Sequence, residues 1–205
     1  MQLIEDRTLA TPPAATPTVA SRRKAQELGA LVEAAQRGSV SAFERLYRAM
    51  AAQVVSYLRW HRVSDPDGLT NDVFAQVHRK LSSFEGDEQG FRSWVFTIAH
   101  HRMIDDRRRS QRQPFVAGEV EVEDHRALGD VEDDAFAVLG SDRVRELLAV
   151  LSPDQRAVVL LRVVADLSVE DVAKILGKRE GAIKALQHRA MGALRRHLSR
   201  QTVPA

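Results

Sequence analysis

The 205-residue chain contains no cysteine. It can form no disulfide and offers no thiolate to a metal, which fits a reducing compartment. No apolar run approaches the ~20 residues that span a bilayer, so direct membrane insertion is not expected. Residues 1–20 are rich in Thr, Pro and Ala and lack the hydrophobic core of a secretory signal. The expected location is the cytoplasm. Gly-rich phosphate loops, nucleophile elbows and Ser/His/Asp patterns are also missing. Neither catalysis nor a cofactor is expected, and no metal site is assigned.

What remains is helical periodicity and segregated charge. No strand-like alternation of useful length and no internal repeat occurs. The formal net charge is only +2. Basic residues nevertheless cluster at 102–112 and 174–200, and acids at 119–134. Separated basic patches favour a polyanionic partner more than the net charge does.

The expected fold class is all-α, with two helical domains joined by a flexible acidic linker. Residues 1–25 read as a disordered tail, because Pro12, Pro13 and Pro17 among small polar neighbours cannot build a core. Residues 26–112 form the first domain. Leu28, Leu31, Val32 and Ala35 make one apolar stripe, and Phe43, Leu46, Tyr47, Met50, Val54 and Leu58 a second. After a break at Asp65-Pro66-Asp67-Gly68, Leu69, Val73, Val77 and Leu81 recur every four residues. Gly86 to Gly90 is a polar loop, and Phe91, Trp94, Val95 and Ile98 open the last helix. Trp94 could be a stacking platform; its place on that stripe reads as core.

Residues 113–141 form the linker, with Glu119, Glu121, Glu123 and Asp124 among its acids. Alternation over 116–122 resembles a short strand, but like charges favour an extended segment. Residues 142–200 form the second domain, and 201–205 a tail. Ser141 or Asp142 is the candidate cap of its first helix.

The second domain reads as a helix-turn-helix. Ser152, Pro153 and Gln155 form a capping-box start, Ser168 and Asp171 open the next helix, and Gly177 fits a left-handed terminus. A short turn at Lys178-Arg179-Glu180 leads into a helix over 181–198. Ile183, Ala190, Leu194 and Leu198 are expected to face inward. Lys178, Arg179, Lys184, His188 and Arg195 lie on the basic side. That geometry places a helix in a DNA major groove, where cations meet phosphates and N-terminal residues reach base edges. The plain alternative is a helical hairpin with a solvated basic face.

Two stretches together resemble one family. Phe91-Arg92-Ser93-Trp94-Val95-Phe96-Thr97-Ile98-Ala99 followed by Asp105, and the block over 151–198, resemble the extracytoplasmic-function group of bacterial sigma-70 RNA polymerase sigma factors. The likeness spans about 31–112 and 144–198. It implies that the first domain binds core RNA polymerase and the −10 promoter element, and the second the −35 element. The polymerase-binding strip would be Asp65, Asp67, Asn71 and Asp72. Where the family's strip opens with an acid, this chain has Gly68. The −10 candidates are Phe84, Glu85, Asp87, Gln89, His100, His101, Arg102, Arg108 and Arg109. His100-His101 replaces a frequent Arg-Asn, which leaves base preference open. The −35 candidates are Lys178, Arg179, Lys184, His188 and Arg189. Arg179, Ala185 and Leu186 depart from the family pattern, and the loss of polar groups shifts readout toward phosphates and DNA shape. The resemblance also implies an acidic linker threaded along the RNA path, against the alternative of a solubilising spacer. It further implies an anti-sigma factor as inhibitor and a monomer when polymerase-bound.

Two rivals remain at this point. A stand-alone helix-turn-helix regulator would share the C-terminal module without needing the block over 91–109. A metalloenzyme could use His100, His101, Asp105 and Asp106, although further ligands at metal spacing are not apparent.

Overall fold

The computed structural model describes residues 19–112 and 142–201. The expected linker, the Ser141 cap and most of both tails lie outside the described residues. The elements are α1 (Val19–Gln36), α2 (Val40–Trp60), α3 (Pro66–Lys80), a 3-10 turn (Leu81–Ser83), α4 (Glu88–Arg112), α5 (Asp142–Ala149), α6 (Pro153–Val163), α7 (Val169–Leu176) and α8 (Glu180–Gln201). Among the described residues there is no strand. α1 begins at Val19, within the stretch expected to be a tail.

Local chemistry sets the helix boundaries. Ser39 caps α2 by accepting from the Ala42 amide. Asp65 caps α3 by accepting from Gly68, and Pro66 supplies a preset first helical φ. A Cβ at Gly68 would collide with the Asp65 carboxylate. The missing acid at this position is therefore coupled to the cap that replaces it. Both expected capping boxes form, Ser152 with Gln155 and Ser168 with Asp171. Gly177 ends α7 at φ 61°, ψ 34°, a left-handed conformation that is strained for residues with a Cβ.

α1 to α4 form a bundle around Leu46, Met50, Val54, Tyr57, Phe91, Val95 and Phe96, all fully buried. Each such side chain contributes about 1.5–3 kcal/mol on leaving water. α6, α7 and α8 pack around Val158, Leu161, Leu167, Val172, Ile183 and Ala190. The two groups meet where α4 lies against α7, and the buried residues form one continuous cluster.

Three side chains differ from the sequence pattern. Leu198, expected inside, is 37% exposed because α8 outruns the helices it packs on. Leu186, read as a lost DNA contact, is buried in the core; a polar residue here would face apolar neighbours rather than bases. Trp94 is half-buried and stacks on Phe84, with ring centroids 5.1 Å apart.

Candidate nucleic-acid interface

α3 presents the acidic strip in an already bonded state. Asn71 accepts from the Tyr47 hydroxyl at 2.9 Å, and Asp67 pairs with Arg59 at 3.2 Å. Asp72 lies 3.9 Å from Arg102 on α4, whose Nε donates to Gln76 at 3.0 Å. Asp65, the cap, remains exposed with Asp67, Asn71 and Asp72. The four therefore share one end and face of α3, where exposed carboxylates complement a cationic partner surface.

The loop before α4 is pinned from three sides. Gln36 of α1 donates to the carbonyls of Leu81 and Phe84 at 3.0 and 2.7 Å. Asp87 accepts from the Gly90 amide at 2.8 Å, starting α4. Phe84 packs between Trp94 and the edge of Phe91. Gly86 takes φ 154°, and a Cβ there would touch the Phe84 ring at 3.0 Å. Glu85 and Asp87 stay exposed beside this aromatic stack. A fixed aromatic surface beside polar groups is the arrangement on which an unstacked base can rest.

Farther along α4, His100 and His101 diverge. His101 is exposed, whereas His100 is half-buried with Nδ1 2.8 Å from the Tyr57 hydroxyl. Burial, His101 and Arg107 push the His100 ring down to about 4, so it is neutral at physiological pH. Burial holds the Tyr57 phenol above its ordinary range, against the opposing charge of Arg107. We assign the phenol as donor, which leaves the His100 ring proton on Nε2. Arg108 lies 3.8 Å from Asp105, and Arg109 is exposed. Sequence reasoning missed Tyr57 and Tyr47, which orient His100 and Asn71; nothing in local spacing links partners 43 and 24 residues apart.

In the second half, Arg179, Lys184, His188 and Arg189 are exposed together along the N-terminal part of α8. Among the described residues, Lys184 pairs only with Glu180 of its own helix, at 3.6 Å. Lys178 instead turns back to Asp154 at the start of α6, at 3.0 Å, and its amide donates to the Ala173 carbonyl. It braces the turn more than it extends the basic face. The result is a recognition-helix geometry with a free cationic edge.

One −10 candidate faces elsewhere. Gln89 donates to the Asp166 carbonyl at 3.1 Å and lies 3.5 Å from the Asp171 carboxylate. Burial alone would raise the Asp171 carboxyl, but hydrogen bonds from Ser168, Ser93 and Gln89 outweigh it and hold the group below its usual range. The helix-turn-helix thus covers one residue of the expected base-reading loop. Asp166 enters this contact without having been singled out, Asp171 was read only as part of a helix cap, and Ser93 only as part of a motif.

Comparison with known proteins agrees with this division. The family model described as Sigma-70 region 2 matches residues 42–113, and that described as Sigma-70, region 4 matches 141–194. ECF RNA polymerase sigma factor BldN of Streptomyces coelicolor is 33% identical over 172 residues, covering 82% of this chain and 64% of that protein. ECF RNA polymerase sigma factor ShbA of Streptomyces griseus is 30% identical over 184 residues, covering 82% of this chain and 93% of that protein. Among solved structures, CnrH in complex with the cytosolic domain of CnrY is similar in fold, with a TM-score of 0.57 at 22% identity. That match covers 86% of this chain and 99% of the other.

Proposed function

This chain belongs to the sigma-70 family of RNA polymerase sigma factors, in its extracytoplasmic-function group, and from that premise we propose how its two halves divide promoter recognition. The chain directs core RNA polymerase to promoters. The exposed end of α3, with Asp65, Asp67, Asn71 and Asp72, docks on the polymerase. The Phe84 stack, Glu85, Asp87, Gln89, His100, His101, Arg102, Arg108 and Arg109 meet the −10 element. The edge of α8 formed by Arg179, Lys184, His188 and Arg189, with Lys178 beside it, grips −35 duplex DNA. The observation that carries this reading is the pair of surfaces itself, an aromatic loop on one helical unit and a free basic recognition helix on another.

Base capture by the first half requires Gln89 to leave Asp166 and Asp171. We therefore read the packed arrangement as the unengaged form, opened when each half finds its own site on the polymerase. The bond-making chemistry of transcription lies in the polymerase, and this chain contributes none. Group membership further supports control by an anti-sigma factor and a cytoplasmic location. No described helix is long and apolar enough to cross a membrane.

The decisive experiment reconstitutes the chain with core polymerase on a genomic promoter library and sequences transcript 5′ ends. Specific starts sharing two spaced upstream elements are expected. Specific duplex binding without polymerase, combined with no specific initiation, would replace this reading with a stand-alone regulator.

A further inference from the structure

A cleft of about 320 Å³ opens at the junction of the two halves, away from the α4–α7 contact. It is lined by Trp60, His61 and Arg62 at the end of α2, Arg107 of α4, and Pro153 and Arg156 of α6. The lining holds three guanidinium groups and no carboxylate. None of these arginines forms an ion pair with a described residue. Arg107 donates to the His61 carbonyl at 2.6 Å, and Arg156 donates to the carbonyls of Leu148 and Leu151 at 3.0 and 3.3 Å. Those bonds orient the guanidiniums but leave their charge uncompensated among the described residues. Arg62 is exposed at the rim, held at φ 58°.

An independent observation comes from His61. The residue is 92% buried, and its Nε2 has no hydrogen-bond partner among the described residues. An orphaned buried ring nitrogen in native structure calls for an explanation such as a bound group. The neighbouring charges make the surroundings of this ring positive. Burial first, then Arg107, His100 and Arg156, push the His61 ring down to about 3. Burial and Arg62 lower the Arg156 guanidinium from its ordinary range. Tyr57 packs edge-on against the same ring and carries no charge.

We propose that Arg62, Arg107, Arg156 and His61 form a binding site for a small free phosphate-class oxyanion, inorganic or the polyphosphate end of a nucleotide. Guanidinium forks match such oxygens in charge and geometry, and the His61 ring lines the same cleft. Arg62 and Arg107 belong to the first half and Arg156 to the second. The anion therefore bridges the halves and stabilises their packed arrangement by mass action. If the function proposed above holds, occupancy opposes engagement of promoter and polymerase. The binding itself does not depend on that reading.

The test uses the full chain and inorganic pyrophosphate, with chloride at matched ionic strength as control. Saturable shifts of the Arg62, Arg107, Arg156 and His61 side-chain resonances are expected, with the His61 pKa rising from its depressed value. Arg156→Gln and Arg62→Gln should each weaken binding at least tenfold. Arg62 is the cleaner probe, because its exposed side chain anchors no carbonyl. The cysteine-free chain also accepts a pair of introduced thiols, at Ala49 and Ser199, for distance measurement. Pyrophosphate should narrow the distance distribution in that pair, and not in its Arg62→Gln version. Shifts matched by chloride, or equal binding by both arginine variants and the native chain, would overturn the site. So would a short promoter duplex reproducing the His61 shift while pyrophosphate does not, because the ligand would then be DNA backbone.

Discussion

Several polar side chains proposed to work in the first half are tied into its own architecture, whereas most of those of the second half stand free of it. Asn71 is held by Tyr47, His100 by Tyr57, Arg102 by Gln76 and Asp72, and Asp87 by the start of α4. On α8, Arg179, His188 and Arg189 are exposed, and among the described residues Lys184 pairs only within its helix. On the proposed function, the difference follows from what each half would have to do. Capturing an unstacked base needs a surface whose shape exists beforehand, because unstacking alone costs a few kcal/mol. Gripping a duplex by phosphates and base edges needs reach, and long cations supply it from a solvated helix. The first half thus couples stability to function, and the second keeps them apart.

The largest test of that coupling is Phe91→Ala. Phe91 is fully buried and braces Phe84. Truncation should cost about 3–5 kcal/mol in urea unfolding and abolish −10 opening together. Intact opening with that loss of stability would separate what the comparison joins.

Acid provides the next test. His61 and His100 titrate near 3 and 4 when folded, below the ordinary histidine value of 6.5. The unfolded chain therefore binds more protons between those values, and stability falls as pH drops from about 6.5 toward 4 and then 3. Unfolding midpoints measured from pH 7 to pH 4 should decline, and His100→Gln should flatten part of that slope. A flat native profile would contradict the burial of both rings.

Ser168→Ala should remove about 1 kcal/mol by deleting a helix cap. Because Asp171 both completes that cap and receives Gln89, the distance distribution between the halves should broaden as well. An unchanged distribution would show that Gln89 holds the junction without the capped geometry.

The smallest stability effect belongs to Arg189→Ala. Unfolding should move by less than about 0.5 kcal/mol. Promoter binding by the holoenzyme should weaken, with the salt slope falling by about 1. A large loss of stability would mean that α8 is knitted into the fold as α4 is.

Legibility followed the range of the interactions. The caps at Ser152 and Ser168 and the left-handed Gly177 could be read from spacing, since each depends on residues within one helical turn. The apolar stripes of α2 and α3 were equally visible. The junction was not. Gln89 and Asp171 are 82 residues apart, and no periodicity announces that they meet. His61 carried no signal for the same reason, since part of its surroundings comes from α4 and α6. Leu186 was misread because a family pattern gives residue types by position. Burial is decided by how α8 rolls on α6 and α7. The cationic edge of α8 was legible as a surface, while Lys178 turned out to serve the turn.

That brace bears on how promoters would be told apart in time. The Lys178–Asp154 pair and the Lys178 amide bond to Ala173 set the angle of α8 before any DNA arrives. A recognition element shaped in advance loses little freedom on docking. Encounter rates should then vary little from one −35 sequence to another, and residence time should carry the discrimination. Weak promoters would be visited as often as strong ones and left sooner.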